Sequence, residues 1–388
     1  MTRENFKCDL AIVGGGLAGG LIALAVARLR PELKIVLIEQ GESFGGNHIW
    51  SYFATDILPE HRWLTAPLVT YGWSGYEVRF PAHTRELDNI YYTIESERLD
   101  WVLRNNLPAS ALMPGREVKS VSPRLVVLDG AQRINAGGVI DARGGGDLNH
   151  LDCGWQKFTG QLMQLAEPHN LTKPIVMDAT VEQYDGYRFV YVLPFGMDKI
   201  FVEDTYYSDK PDHDARRYRQ RIAQYADTQG WTVERVLREE SGVLPVVMGG
   251  DLESYWASGS GRTAKAGARG AFFQAVTSYS LPDAVRNAIF IAEQPDLDGD
   301  KLNLLMRQRA QEHWQNGKFY RMLNRMLFRG ADVTDRYKIL ERFYRLKPGL
   351  IERFYAGNTT GGDKARILSG KPPIPIGKAI TAIRSKKK

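Results

Sequence analysis

The stretch Asp9-Leu-Ala-Ile-Val-Gly-Gly-Gly-Leu-Ala-Gly19 leaves a chain few ways to fold around it. Leu10 to Val13 is an apolar run of strand length. Gly14, Gly16 and Gly19 follow at G-x-G-x-x-G spacing, and Leu21 to Leu29 reads as a helix rich in Ala and Leu. Each glycine has its own task. Gly14 permits the tight turn, Gly16 lets backbone approach a pyrophosphate, and Gly19 lets helix and strand pack closely. N–H groups at the helix start, around Leu17 and Ala18, face the phosphates, and the helix dipole favours their charge. Glycine-rich turns also recur by chance, so the context decides. A second β-run, Lys34-Ile-Val-Leu-Ile-Glu39, completes a β-α-β unit. Glu39 closes it roughly 20 residues past the glycines, where a carboxylate accepts from a ribose hydroxyl. The unit predicts an α/β, Rossmann-type domain with a bound dinucleotide.

The full 388 residues give room for two or three sub-domains. Two cysteines, Cys8 and Cys153, make no disulfide framework and fit a reducing compartment. The N-terminal residues run directly into the first strand, so no signal peptide is expected, and no apolar run of about 18 residues marks a membrane span. Charge is unevenly placed. From Lys301 to Lys388 there are 21 basic and 6 acidic residues, against 30 basic and 39 acidic before them. A basic region on an acidic body predicts an anionic partner: membrane surface, nucleic acid or acidic protein.

After the β-α-β unit, Gly41 to Trp50 reads as a loop with Asn47 and His48 beside glycines. In a flavin-type Rossmann domain such a loop passes near the isoalloxazine ring. His48 is equally readable as a loop histidine with local hydrogen bonds. Trp63, Tyr71, Trp73, Tyr76, Phe80, Tyr91 and Tyr92 fall in short runs of strand character. Ile94 to Leu103 reads as a helix with Ser96 as N-cap. Arg98 sits in its first turn, where the dipole disfavours a cation, which makes it a candidate for a ligand phosphate as well as an inert surface arginine. Gly138 to Gly146 reads as a strand ending in a Gly-rich turn. Lys265 to Val285 is a third cofactor-like segment, with Gly267 in its glycine-rich part and a helix starting near Leu281, behind Ser280 and ahead of Pro282.

Between these lie Gly186 to Leu193 and Lys199 to Tyr207, two strands joined by a turn. Alternation puts Ile200, Val202, Asp204 and Tyr206 on one face and Phe201, Glu203, Thr205 and Tyr207 on the other. Glu203 and Asp204 therefore point opposite ways. An aromatic wall suits a long apolar substrate and stabilises cations. Desolvation on such a wall would keep the Glu203 carboxyl protonated as an acid; an edge-exposed Glu in an ordinary core strand is the competing reading. Asp212 to Gln229 reads as a polar helix and Trp231 to Val247 as a return to the sheet. Trp314 to Phe328 reads as one helix, with Phe319, Met322, Leu323, Met326 and Leu327 on one side and Lys318, Arg321, Arg325 and Arg329 on another. Such a helix lies in a membrane interface or packs on its own domain. Ile339-Leu-Glu-Arg-Phe-Tyr344 and Leu350-Ile-Glu-Arg-Phe-Tyr355 predict two similar helices. Ser385 to Lys388 is a basic end.

No metal-ligand spacing, C-x-x-C or G-x-S-x-G occurs, so metal hydrolase, dithiol and serine hydrolase chemistry lack support. One dinucleotide fingerprint is present, and a second phosphate cradle for NAD(P)H is not. No aromatic–basic platform for single-stranded nucleic acid is evident.

Taken together, these segments resemble bacterial lycopene β-cyclases. The resemblance rests on Asp9 to Ala18, Gly45-Gly-Asn-His-Ile-Trp-Ser51, Val176-Met-Asp-Ala-Thr-Val181, Gly186 to Pro194, Val202-Glu-Asp-Thr-Tyr-Tyr207, Tyr279-Ser-Leu-Pro282, Phe319 to Phe328 and Arg353-Phe-Tyr-Ala-Gly357. It implies a glutathione-reductase-type FAD domain at 1–153 and 260–300, an inserted antiparallel substrate sheet at 154–259, and a basic helical, membrane-facing region at 301–388. It also implies reduced FAD that is not consumed, with NAD(P)H as electron source. Lycopene and γ-carotene would be met at an anionic membrane surface, on the cytoplasmic face, with no nucleic acid and no stable protein partner. The FAD contacts expected are Gly14, Gly16, Leu17, Ala18, Gly19, Glu39, Asn47, His48, Arg98, Gly267 and Leu281. The family's essential acid falls on Glu203, with Asp204 beside it in the same motif, and protonation of lycopene would start ring closure. One departure stands out. Members tend to read His-Pro-Thr-Thr-Gly where this chain has Gln274-Ala-Val-Thr-Ser278. A redox flavoenzyme of the same fold, or a polyene-binding module without catalysis, remain the alternative readings.

Overall fold

A computed structural model describes residues 6–370 and 374–384; the basic end from Ser385 lies outside them. The fingerprint strand Phe6–Val13 pairs in parallel with Ile35–Ile38 on one side and Arg133–Asp141 on the other. All four residues of Ile35–Ile38 are buried, as expected of a parallel strand covered on both faces. Leu112–Met113 extends this sheet beyond Ile35–Ile38, and Ala264–Lys265 extends it in parallel beyond Arg133–Asp141. Val118–Ser122 and Leu125–Leu128 form an antiparallel meander on Arg133–Asp141. The helix Leu17–Leu29 covers one face together with Ser96–Asn106, Leu281–Ala292 and Gly299–Asn316, around Leu10, Ile12, Leu21, Leu99, Ala288 and Leu302.

Gly14 and Gly19 take the turn and packing parts their spacing predicts. Gly14 has φ +103°, in the left-handed range. A Cβ on Gly19 would stand 1.9 Å from the Gly14 carbonyl oxygen, so only glycine lets the helix cross the strand this closely. A Cβ on Gly16 would meet nothing within 4 Å, which leaves the face above that turn open.

A second sheet of seven strands follows the order Val233–Gly250, Leu151–Leu165, Lys199–Ser208, Gly186–Phe195, Ile175–Asp178, Tyr76–Phe80, His83–Leu87. Its pairs are antiparallel except Ile175–Asp178 with Tyr76–Phe80. Gly186–Phe195 and Lys199–Ser208 form the predicted hairpin, turning through Gly196 at φ +78°. On one face Ile200 and Val202 pack under the helix Ala215–Thr228. On the other, Phe201 and Tyr207 join an aromatic cluster roofed by C-terminal helices. A small sheet of Ile49–Phe53, Tyr91–Glu95 and Tyr71–Trp73 lies between the two.

Several boundaries differ from the sequence reading. The second sheet takes two strands, Tyr76–Phe80 and His83–Leu87, from inside 1–153, so the division at residue 153 cuts through it. Gly299–Asn316 packs Leu302, Met306 and Ala310 into the first core, so the basic region is no separate layer. Trp63 sits in the short helix Arg62–Thr65, not in a strand. Ser96 is the first helical residue and Glu95 the cap. Trp314 lies in the last turn of Gly299–Asn316, and a new helix, Lys318–Arg325, continues into a π-turn at Met326–Gly330. Of the basic row there, Lys318 is exposed, but the three arginines are engaged by the protein. Arg321 and Arg325 donate to the carbonyls of Trp314 and Met248, and Arg329 pairs with Asp152 at 2.6 Å. The paired motifs do form two helices, Tyr337–Phe343 and Pro348–Tyr355, and the terminal hydroxyls of the repeat, Tyr344 and Tyr355, hydrogen-bond at 2.5 Å.

Replacing Gly19 by Ala must push helix and strand apart and should cost at least about 2 kcal/mol of stability by overpacking. Gly16→Ala, with open space and an ordinary φ of −70°, should stay within about 0.5 kcal/mol of the parent. Denaturant midpoints of the two variants measure the contrast.

Candidate functional site

Four chain segments meet at the end of the parallel sheet. Gly45 N–H donates to the Gly15 carbonyl at 2.9 Å, and Ala142 N–H to the Val13 carbonyl at 2.7 Å. A Cβ on Gly267, at φ +58°, would stand 2.9 Å from the Ala18 Cβ, so the third glycine-rich segment touches the first. Glu39 accepts from Gly15 N–H at 2.7 Å and from Gly41 N–H at 2.9 Å. Its carboxylate thus stands over the turn that Gly14 and Gly16 open. Leu281 is buried at the first position of its helix, with Pro282 behind it in the first turn. Ser280 takes the cap position but its side chain makes no capping bond. This concave end, lined by backbone and one acidic group, has the shape and donors that a dinucleotide pyrophosphate and ribose require.

The loop carrying Asn47 and His48 is tied to both halves of the molecule. Asn47 donates to the Glu239 carbonyl at 2.9 Å and accepts from Arg238 at 2.8 Å. His48 N–H donates to the Ser96 hydroxyl, and Ser96 N–H returns to the His48 carbonyl. His48 packs against Trp50 and is held below its ordinary pKa, first by desolvation and then by Arg238. Arg98 gives its Nε–H to the Pro67 carbonyl at 2.8 Å and stacks over Trp101. In this structure it serves the protein.

The hairpin separates its two carboxyls as alternation predicts. Asp204 is fully buried on the side of Ala215–Thr228 and pairs with Arg188 at 2.7 Å. That corrects its place among the catalytic candidates: a carboxylate locked to a guanidinium beneath a helix has no path to the aromatic face. Glu203 points the other way. Among the described residues no cation pairs with it, and its Oε1 accepts only from the Thr205 hydroxyl, at 2.6 Å. Burial pushes its carboxyl up to about 7 from an ordinary 4.5, the Thr205 bond opposing and the Asp204 charge adding. Glu203, Tyr191 and Tyr279 are each half-buried, on the aromatic side of the sheet, and Tyr279 also lines a cavity of about 280 Å³ with Gln274, Pro282 and Tyr355.

Tyrosine hydroxyls meet on this side. Tyr91 and Tyr191 are 2.9 Å apart, Tyr91 and Tyr279 3.5 Å, and Tyr191 donates to the Ser51 hydroxyl at 2.8 Å. Burial holds these phenols neutral, Tyr279 being raised to about 12. The aromatic content of this wall is legible in the sequence; the joined hydroxyls are not, because Ser51, Tyr91, Tyr191 and Tyr279 come from four separate segments.

Sequence reasoning also missed Glu240. It lies on the edge strand Val233–Gly250, is 7 % exposed, and its Oε2 has no hydrogen-bond partner. Burial, then the Glu203 charge, raises its carboxyl to about 8. Its neighbours Glu239 and Glu234 are acidic too, and only strand pairing distinguishes it. Ser278 holds φ +58°, so the segment that departs from the family pattern keeps a left-handed turn without glycine there. Gln274 accepts from Val276 and Thr277 N–H and fixes that turn.

A family model described as "Lycopene cyclase protein" matches residues 9–381. The chain is 45 % identical over 375 residues to a protein named lycopene beta-cyclase from Pseudescherichia vulneris, covering 96 % of each. The protein of that name from Pantoea ananas is 42 % identical over 97 % of each chain. Among solved structures, a geranylgeranyl bacteriochlorophyll reductase-like protein from Thermoplasma acidophilum superposes with a TM-score of 0.62 at 11 % identity, over 97 % of this chain and 99 % of that one. A flavin-dependent brominase gives 0.58 at 12 % identity, over 90 % and 94 %. At such identities the likeness is one of fold.

An acid whose folded pKa is raised to about 7 costs stability as pH rises from its unfolded value near 4.5, because the unfolded chain sheds its proton first. Glu203→Gln should therefore stabilise the protein at pH 8 by up to about 3 kcal/mol, with the gain vanishing near pH 4. Chemical denaturation at the two pH values tests the sign.

Proposed function

The chain belongs to the lycopene cyclase family, and on that premise we propose that it closes the ψ ends of lycopene into β-ionone rings, with Glu203 as the initiating acid. The product after one closure is γ-carotene and after two β-carotene. The observation that carries the reading is a carboxyl held without a counter-ion on an aromatic wall. At neutral pH a substantial fraction of Glu203 is protonated, as a general acid must be. It gives its proton to C2 of the terminal double bond, leaving a cation at C1. The C5=C6 π bond attacks C1, forming the ring, and loss of the C6 proton restores a double bond. Atoms balance without an oxidant: substrate and product are isomers.

Tyr191, Tyr279 and Tyr207 face this step with electron-rich rings, which stabilise a cation without trapping it. Asp204 and Arg188 support the hairpin from behind.

The glycine cradle fits FAD: Gly14, Gly16, Leu17, Ala18 and Gly19 would hold the pyrophosphate, Glu39 the ribose, and Asn47, His48, Gly267 and Leu281 the ring system. When bound and reduced, FAD supplies negative charge near the developing cation and is not consumed, with NAD(P)H the source of its electrons. The isomerase class follows from this reading. Among the described residues no helix is long and apolar enough to cross a membrane. Leu368 and Ile380 are exposed beside Arg366, Lys378 and Arg384, and this basic, apolar surface supports peripheral docking on an anionic membrane in which lycopene dissolves.

In cells that accumulate lycopene, expression of the chain should yield β-carotene, and Glu203→Gln should lower cyclisation at least about 100-fold while the protein stays folded. Gly16→Val should lose flavin on purification without unfolding. Stoichiometric NAD(P)H oxidation with a product of altered mass would sink the cyclase reading in favour of a redox one.

A further inference from the structure

Once its proton has gone to carbon, Glu203 is a carboxylate in a buried site and needs a path by which to exchange protons with water. The sheet supplies one. Gly160, on the strand Leu151–Leu165, pairs with Glu203 on one side and with Glu240 on the other. Residues directly paired across a sheet share a face, so Glu203, Gly160 and Glu240 form one row on the aromatic side. Gly160 puts no side chain into that row, and the Phe201 ring closes over it: a Cβ at Gly160 would stand 2.2 Å from Phe201 Cζ. The outer side of Glu240 is polar. Its carboxyl meets the Ile49 backbone N–H, and Arg238 lies at 3.8 Å. Arg238 in turn pairs with Glu97, which is exposed on the helix Ser96–Asn106, at 2.9 Å. Glu240 thus stands between the deep acid and a charged rim.

We propose that Glu240 is the proton-exchange partner of Glu203, a positioning residue that shares a proton with it and connects it to the Arg238–Glu97 rim. The inference rests on the cyclase reading of Glu203 and adds to it how the acid is reset. Glu203 delivers its proton to C2 and becomes a carboxylate. Glu240 then sends its own proton toward Glu203 by way of water past the Phe201 ring and is left as the carboxylate. The proton lost from C6 fills that vacancy in the pair, which exchanges with water at the rim, so a turnover neither gains nor loses one. The groups facing the pair are the Thr205 hydroxyl, the phenols of Tyr191, Tyr207 and Tyr279, and, at the outer end, Arg238, Glu95 and Glu97. Asp204 lies behind the sheet with Arg188. The two carboxyls stand two strands apart, roughly 10 Å, with the Phe201 ring over the gap, and removing one charge must make the other more acidic.

Two measurements on the purified holoenzyme test this: infrared titration of the carboxylic acid C=O band without substrate, and the alkaline limb of the cyclisation rate. The parent should lose the last proton of the pair near pH 8. In Glu240→Gln the limb should move down by about one pH unit, toward the value of about 7 that burial, the Thr205 bond and Asp204 give Glu203, while Glu240→Asp restores it. In Glu203→Gln the infrared step of Glu240 should fall below 8. A Glu240→Gln variant slower at every pH with an unmoved limb would show a purely structural role and overturn the proposal. If that variant does not fold, an unmoved Glu240 step in Glu203→Gln overturns it equally. Coupled infrared steps together with full activity of Glu203→Gln would instead keep the pair and remove Glu203 as the initiating acid.

Discussion

A carboxyl group buried without a counter-ion is the constraint around which the second half of this molecule is arranged. Desolvating an ionised carboxylate is costly unless a cation or several donors meet it. The hairpin carries two carboxyls one residue apart, and burial raises both. At Asp204 the Arg188 guanidinium opposes the rise, which reaches about 6. Glu203 is met by one hydroxyl and by aromatic rings, and is raised to about 7. The same burial that raises the Glu203 carboxyl works against stability as pH rises.

The aromatic face reaches the cofactor side through one loop. Asn47 holds the backbone and side chain of the edge strand, and His48 exchanges backbone and hydroxyl bonds with the start of Ser96–Asn106. Because that edge strand also carries Glu240, the loop expected near a flavin ring and the second carboxyl are mechanically one unit.

The C-terminal helices show how far charge patterning can mislead. Arg321, Arg325 and Arg329 recur at helical spacing and read as a solvated stripe. Their guanidinium groups instead end on carbonyls and on Asp152, because long stems reach over a sheet edge rich in acceptors. The basic, apolar surface that remains exposed lies further along, around Leu368 and Ile380. Aromatic residues of the paired motifs, Phe343, Tyr344, Phe354 and Tyr355, close the roof of the aromatic cluster.

The sequence by itself determined the β-α-β unit, the hairpin and the opposed faces of Glu203 and Asp204. These depend on local rules: glycine geometry, the period of a strand, the period of a helix. The long specific motifs also placed the chain among lycopene cyclases before any contact was visible. Only the tertiary structure decided which strands join which sheet, taking Tyr76–Phe80 and His83–Leu87 away from the first domain. Only it set Glu240 across Gly160 from Glu203 and brought the hydroxyls of Tyr91, Tyr191 and Tyr279 together. The physical reason is register. Periodicity tells which face a side chain takes, but which residue stands opposite depends on pairings between segments tens of residues apart, and a carboxyl's pKa is set by those neighbours.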